Sequence, residues 1–304
     1  MTIAFIHPQK SFLPELGQYI HFFSSFGIST KILHSADYDM CTAEVEWHFL
    51  GSHQQKDKKN RIIIHEYASA STGPFPKTKD FIKHWLNAKP DYRIFLNEYV
   101  KQRFDFKDNI PYGFRDMGIP SSFLDLKSPD KKYDFIYTGS VTPDRRIEKL
   151  IQCFTRKDLT NRSLLILSKD YDDLEKKFKP YSNIHFAGPV AHESVGEYIL
   201  QSRFAINHIP DKEPFNHQTS VKLLEYLALH TPVISSEYEW VKRFQQQVGA
   251  NIFFIDNDFS NFSWEKITNF NFSFPDLSQW TWEKQIRKSG ILEFLKSKFA
   301  DLEF

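Results

Sequence analysis

Short, continuous apolar runs alternate with stretches of helical period along most of the chain. Thr2 to Ile6 has the make-up of a buried strand, followed by the polar loop His7-Pro8-Gln9-Lys10. Leu13 to Phe26 has helical period, and Gly27 is a good stop. Ser29 to Leu33 predicts a second strand. Glu44 to Leu50 alternates more, as an edge strand does. Gln54 to Arg61 is a charged surface turn, and Arg61 to His65, RIIIH, is an apolar run of the kind buried on both faces. Phe81 to Ala88 reads as a helix, Tyr92 to Leu96 as a strand and Glu98 to Phe104 as a helix. Such alternation predicts a parallel sheet with helical crossovers.

The period fails between Asn109 and Lys132, where Pro111, Gly113, Gly118, Pro120 and Pro129 fall, so this stretch is the expected linker. Alternation then restarts. Strands are expected at Tyr133 to Tyr137, Ser163 to Leu167, Ile184 to Phe186, Phe204 to His208, Val233 onward and Ile252 to Ile255. Helices are expected at Arg145 to Phe154, Tyr171 to Phe178, Ser194 to Gln201, Val221 onward and Glu239 to Val248. The fold class expected is α/β: two doubly wound, Rossmann-like domains with a cleft between them, over 1–128 and 129–278. Ligands are expected outside the carboxyl ends of the strands. Trp280 to Phe299 has the period of one amphipathic helix closing the chain.

The stretch richest in chemistry is Asn216 to Ser235, NHQTSVKLLEYLALHTPVIS. Thr219 or Ser220 can cap a helix at Val221. Leu223, Leu224, Leu227 and Ala228 supply its apolar side, while Lys222 and Glu225, three apart, share the other. The start of such a helix suits a phosphate, and Lys222 adds charge there. Glu225, one turn on, offers acceptor oxygens for a sugar diol. An i,i+3 ion pair on a surface helix accounts for the same letters.

The run Lys222-Leu-Leu-Glu-Tyr-Leu-Ala228, followed by a small turn and Pro232-Val-Ile-Ser235, resembles the donor half of group 1 (family 4) glycosyltransferases, which have the GT-B fold. The resemblance covers mainly Tyr133 to Trp282. It implies a metal-independent transferase without a cofactor, acting on a nucleoside-diphosphate sugar, UDP- or GDP-linked. Gly139, Arg145 and Arg146 match the element that meets the donor diphosphate, with Ser140, also placed at the donor, standing where many members carry an Arg and Arg146 the better match to the family's second cation. Solvated arginines in a first helical turn are the alternative. Val190, in Gly188-Pro-Val190, matches the nucleobase wall, though a Gly-Pro turn ending a strand explains the same letters, and Ser220, Lys222 and Glu225 match the diphosphate and ribose ligands. Counting eight residues back from Glu225, where many relatives carry a second Glu, reaches His217. That departure bears on the donor sugar.

For the first domain the resemblance places an active-site histidine at the end of a buried strand, which here is His65. Glu66 beside it is a candidate base. A capping His-Glu pair in a loop explains the same letters. Lys10 is the acceptor-side candidate. By family habit the region 279–304 crosses back to the first domain.

Composition narrows the classes. The 304 residues are 41% hydrophobic and 25% charged, with a formal net charge of +1, which fits a globular protein and gives no field for nucleic acid. Cys41 and Cys153 are far apart and read as reduced thiols. No stretch approaches the roughly 20 apolar residues of a membrane span. No basic and apolar leader opens the sequence, so a cytoplasmic protein is expected. Lysines and aromatics interleave from Phe75 to Trp85, which fits either an ordinary amphipathic helix or one lying on an anionic membrane surface.

The expected function is sugar transfer to a glycan, lipid-linked or protein-linked acceptor in bacterial surface polysaccharide synthesis. A non-catalytic partner subunit of the same fold and a nucleotide-sugar epimerase are the alternatives.

Overall fold

The structure, a computed structural model, describes residues 1–7, 13–34, 42–49, 61–71 and 75–304. The chain forms two compact units: Met1–Gly118 with Trp280–Phe304, and Ile119–Gln279.

The first unit is built on β1 (Thr2–His7), α1 (Pro14–Ser24), β2 (Ser29–His34), β3 (Val45–Phe49), β4 (Ile62–Tyr67), α2 (Pro76–Leu86), β5 (Tyr92–Phe95), α3 (Glu98–Phe104) and β6 (Tyr112–Phe114). Its strands form one parallel sheet in the order β2-β1-β3-β4-β5-β6. The second unit holds β7 (Tyr133–Thr138), α4 (Ile147–Cys153), β8 (Leu164–Leu167), α5 (Asp172–Phe178), β9 (Ile184–Ala187), α6 (His192–Leu200) and β10 (Ser202–Asn207). It continues with α7 (Val221–Ala228), β11 (Val233–Ser236), α8 (Glu239–Val248), β12 (Phe253–Ile255) and α9 (Trp264–Thr268). Its sheet, also parallel, runs β12-β11-β10-β7-β8-β9. Then α10 (Trp282–Lys288) and α11 (Ile291–Lys298) join the first unit.

Three sequence expectations are corrected. Glu44 to Leu50 is not an edge strand: β3 pairs with β1 and β4, and all five of its residues are buried. Its polar alternates stay inside through ion pairs, Glu46 meeting Arg61 and also His48 at 3.4 Å. The expected linker contains β6, whose period was too short to show. The later 3-10 turn Ser121–Asp125 belongs to the second unit, because Phe123 and Leu126 pack within 3.2 and 3.0 Å of where a Gly196 side chain would begin. The last helix is two helices, parted at Ser289, whose carbonyl accepts from the Tyr92 hydroxyl at 2.7 Å.

Aromatic residues fill both cores. In the first unit Phe5, Tyr19, Phe23, Trp47 and Phe49 pack together under α1, with Ile286, Ile291 and Leu295 of the tail on the same core. The tail lies so close that a Cβ at Gly118 would stand 2.8 Å from the Trp282 backbone. Arg115, just past β6, is fully buried. Its guanidinium pairs with Glu66 of β4 and, at 3.3 Å, with Glu15 of α1. It also lies 5.4 Å from the Trp282 ring.

Removing Arg115 while leaving two buried carboxylates is costly. Arg115→Met is expected to lower stability by about 3–5 kcal/mol, measured by urea denaturation against wild type. Restoration by the added substitutions Glu66→Gln and Glu15→Gln identifies the unpaired charge as the cause. No recovery would leave packing as the cause.

Candidate functional site

In the second sheet β7 and β10 are neighbours, yet the chain leaves β7 for β8 and leaves β10 for β11 on the opposite side. Their carboxyl ends therefore flank the point where strand order reverses, which is where doubly wound sheets take ligands. Gly139 ends β7 with φ +117°, a conformation that strains any other residue, and its N–H donates to Leu167 at 3.0 Å. The loop beyond it is held from inside: the Tyr137 hydroxyl donates to the Ser140 carbonyl at 2.7 Å, and Ser140 Oγ lies 2.9 Å from Thr142 Oγ1. A 3-10 turn, Pro143–Arg145, then delivers the two arginines. Arg145 is half-buried, with its guanidinium 4.2 Å from the centre of the Phe215 ring. Arg146 is exposed and sits at φ 54°, a left-handed conformation that costs energy for a residue with a Cβ. Sequence favoured Arg146; by placement Arg145 is the better-anchored cation.

Helix α7 faces this loop. Tyr226 accepts from the Thr138 N–H at 3.0 Å and lies 2.9 Å from Thr138 Oγ1, while Lys222 Nζ donates to the Thr138 carbonyl at 3.2 Å. Lys222 also lies over the Tyr137 ring at 4.1 Å, and a Cβ on Gly139 would come within 3.7 Å of its ammonium. Ser220 is the N-cap residue, but its hydroxyl does not cap α7. It donates instead to Asn207 Oδ1 at 2.8 Å, and Asn207 in turn donates to Ser235 and Tyr238. The expected Ser220 cap is thus replaced by a buried network that fixes the loop ahead of α7.

The cations sit in a poorly solvated corner. Burial pushes the Lys222 ammonium well below the ordinary lysine range, and the Arg145 charge lowers it further, against a smaller opposite pull from Glu225. His208, the residue after β10, was not singled out by sequence. Burial, then Lys222, Arg145 and Arg146, bring it down to about 4 from an ordinary 6.5.

Glu225 and Lys222 do not form the surface pair their spacing suggested. Glu225 is 4 % exposed, and its Oε1 meets His192 Nε2 of α6 at 2.9 Å. His192 is the other residue sequence missed. It lies 33 positions away, and only the fold brings the start of α6 to α7. Val190 is half-buried in the turn after β9, where Tyr171 and Phe186 stack at 5.6 Å to give a flat wall, with the Tyr171 hydroxyl 3.6 Å from the Gly188 Cβ position. His217 ends the half-buried turn Phe215–His217, which lies beside α8.

The remaining candidates lie in the first unit. His65 and Glu66 do not follow the buried strand; both are inside β4. His65 is 2 % exposed, with Nδ1 3.2 Å from the Tyr67 hydroxyl and its ring beside that of His48. Glu66 accepts from the Trp47 indole at 2.7 Å on one oxygen and from Arg115 on the other. The expected base is therefore corrected to a core ion-pair partner, engaged on both oxygens. Lys10, like Cys41, lies outside the described residues. Among the described residues no group of three or more His, Cys, Asp or Glu is placed to hold a metal ion.

No family model matches the sequence, and no curated protein does. Structural likeness is extensive. AviGT4, a glycosyltransferase involved in Avilamycin A biosynthesis, superposes with a TM-score of 0.57 at 10% identity, over 99% of this chain and 97% of its own. Sucrose-phosphate synthase from Thermosynechococcus elongatus gives 0.64 at 11% identity, over 98% and 99%. The UDP-GlcNAc 2-epimerase from Methanocaldococcus jannaschii gives 0.51 at 13% identity, over 97% and 100%. At such identities the likeness defines the fold: this chain has the GT-B fold, as its sequence led us to expect.

A desolvated lysine without an anion costs stability. Since the folded value of Lys222 is depressed, the unfolded chain binds more protons between that value and about 10.4, so stability rises with pH across that window. Lys222→Met is expected to keep or raise the thermal midpoint at pH 7 and to remove part of that rise. A midpoint several degrees lower at pH 7 would show the ammonium to be stabilising where it stands.

Proposed function

We propose that this protein is a glycosyltransferase that moves a sugar from a nucleoside-diphosphate donor to a hydroxyl of a glycan, lipid-linked or protein-linked acceptor. One observation carries the proposal. Lys222 and Arg145 converge on the strand-order reversal of a GT-B sheet, and the Glu225–His192 pair lies one helical turn further along α7. In transfer the bond between the anomeric carbon and the β-phosphate oxygen breaks, and the electron pair leaves with the nucleoside diphosphate. An acceptor hydroxyl oxygen takes its place at carbon, and the hydroxyl proton passes to the departing diphosphate. The growing phosphate charge falls to Lys222, Arg145 and Arg146; Lys222 is held in place and desolvated, so its attraction for that charge is stronger than in water. No metal is needed to meet that charge in this scheme. Glu225 takes the ribose diol, the Tyr171–Phe186 wall with Val190 takes the base, and Gly139 and Ser140 let the backbone approach the phosphates. His217 is the residue we assign to the sugar, and His65 is the histidine we assign to the first unit's part in the reaction. UDP and GDP are the donor nucleotides favoured.

An epimerase acting on the same donor is the second reading. Its support is the likeness to the UDP-GlcNAc 2-epimerase over nearly the whole of both chains. It differs in needing no acceptor, so conversion of one nucleotide sugar into another with no net release of nucleoside diphosphate, followed by NMR, would select it over transfer.

Calorimetry with UDP, GDP and CMP tests the donor site. One nucleoside diphosphate is expected to bind, and Glu225→Ala to weaken it about 10- to 150-fold, the range of charged hydrogen bonds. Equal binding by wild type and Glu225→Ala would remove Glu225 from the ribose.

We further propose that the protein works in the cytoplasm at the inner face of a membrane, in bacterial surface polysaccharide synthesis. No helix among the described residues is long and apolar enough to cross a bilayer. Support for a peripheral contact comes from α2 and the residue before it. Phe75, Phe81 and Ile82 are 79%, 62% and 47% exposed, with Lys77 and Lys79 exposed among them. The acid of this helix, Asp80, is fully buried against Arg103 at 2.9 Å, so it presents no negative charge outward. Each lysine near an anionic surface is worth about 1 kcal/mol. The protein is expected to float with vesicles containing phosphatidylglycerol and not with phosphatidylcholine alone, and Phe81→Ser with Ile82→Ser to abolish flotation. Undiminished flotation of the double variant would place the contact elsewhere.

A further inference from the structure

Among the described residues around the strand-order reversal, the buried side-chain atoms without a hydrogen-bond partner are His208 Nδ1 and, in the loop ahead of α7, Asn216 Oδ1 and Gln218 Nε2. Asn207, Ser220, Ser235, Tyr238, Tyr226 and Thr138 satisfy one another. His208 stands next to Asn207 at the end of β10, with Nδ1 buried and without a hydrogen-bond partner among the described residues. Its ring lies 5.7 Å from that of Phe259, in the turn after β12, which gives an apolar wall and no hydrogen bond through the ring. The charged groups that act on it are Lys222 from α7 and Arg145 and Arg146 from the loop ahead of α4, all cations. A buried nitrogen left unpaired costs free energy, and a histidine ringed by cations repels a proton. Both penalties have one remedy, an anion bearing hydrogen-bond acceptors.

We propose that His208 is a ligand of the donor's diphosphate: as the anion enters, the imidazole takes one proton from solvent and donates a hydrogen bond to a phosphate oxygen. The proton returns to solvent when the nucleoside diphosphate leaves. This rests on the donor site proposed above and adds a ligand that the family resemblance did not supply. In the empty protein the ring is neutral through most of the acid range, since burial and the three cations bring it down to about 4. A phosphate oxygen beside it reverses the sign of the local field, so anion binding and proton uptake are linked and each strengthens the other. Affinity for the diphosphate then rises as pH falls, and raising the pH favours release of the product nucleotide.

Inorganic pyrophosphate and UDP are the probes, titrated by calorimetry at several values between pH 5.5 and 8 in buffers of different ionisation enthalpy. The wild type is expected to take up more protons on binding than His208→Gln. The variant is expected to bind about tenfold more weakly at pH 6, with the gap closing toward pH 8. The titration of the ligand is common to both proteins and cancels in the comparison. On the wild type alone, the 15N resonances of the His208 ring are expected to move from a neutral to a protonated pattern as pyrophosphate is added, which holds the proposal to account even where the variant folds poorly. Binding by the wild type with an unmoved ring, or the same affinity and pH slope in His208→Gln, would overturn the role of His208 and leave the donor site standing. Binding of neither probe by the wild type would overturn both.

Discussion

Thr138 is the residue on which the second unit's chemistry turns. Its N–H and hydroxyl meet Tyr226, and its carbonyl takes the Lys222 ammonium, so all three of its polar groups are satisfied by side chains of a single helix. A strand end in a parallel sheet normally leaves such groups to water or to a ligand. Here α7 claims them, with Leu223, Leu224 and Leu227 buried on its inner side. Burial of those three leucines, each worth about 1.5–3 kcal/mol, holds the helix down. The hydrogen bonds to Thr138 set where along the strand it stops. The ammonium is thereby fixed beside Gly139, where no other residue is unstrained.

What is fixed in this way is unfavourable by itself. Lys222 and His208 are poorly solvated, and Arg146 holds a left-handed backbone. Local conflicts of this kind concentrate where a protein meets something else, because selection for folding alone removes them. All three lie on elements that meet at one strand-order reversal. The first unit shows the contrast: its buried charges, Arg115 with Glu66 and Glu15, and Asp80 with Arg103, are paired within the core. Paired charge there joins β4, β6, α1 and the tail; unpaired charge in the second unit is the kind a ligand can neutralise.

Much of the architecture was legible in the sequence because parallel strands buried on both faces leave uninterrupted apolar runs, as in RIIIH and LLIL. β3 misled because Glu46 and His48 mimic the alternation of a half-exposed strand, and only their ion pairs, invisible in a string of letters, keep them inside. β6 is three residues long and leaves no period to detect. Of the site, the segment carrying Lys222 and Glu225 was legible because helix start, cation and carboxylate fall within one local stretch. His192 and His208 were not, since their meaning comes from residues brought near by topology. Glu66 was misread for the reverse reason: a carboxylate beside a histidine suggests chemistry, while the partner that explains it, Arg115, lies 49 residues away.

The departure at His217 takes on physical sense in this setting. A glutamate there would add a negative charge to a loop whose neighbour, Phe215, carries the Arg145 guanidinium on its ring. In a corner where solvent screens little, such a charge would offset the cations and lessen their hold on a diphosphate. A histidine offers a hydrogen bond to a sugar hydroxyl without that penalty, but one donor or acceptor at a time in place of two carboxylate oxygens. In the transferase we propose, the exchange would leave the diphosphate end of the site strongly cationic and make the sugar end less demanding. Discrimination among donor sugars would then come from shape and neutral hydrogen bonds rather than from a fixed carboxylate at this position.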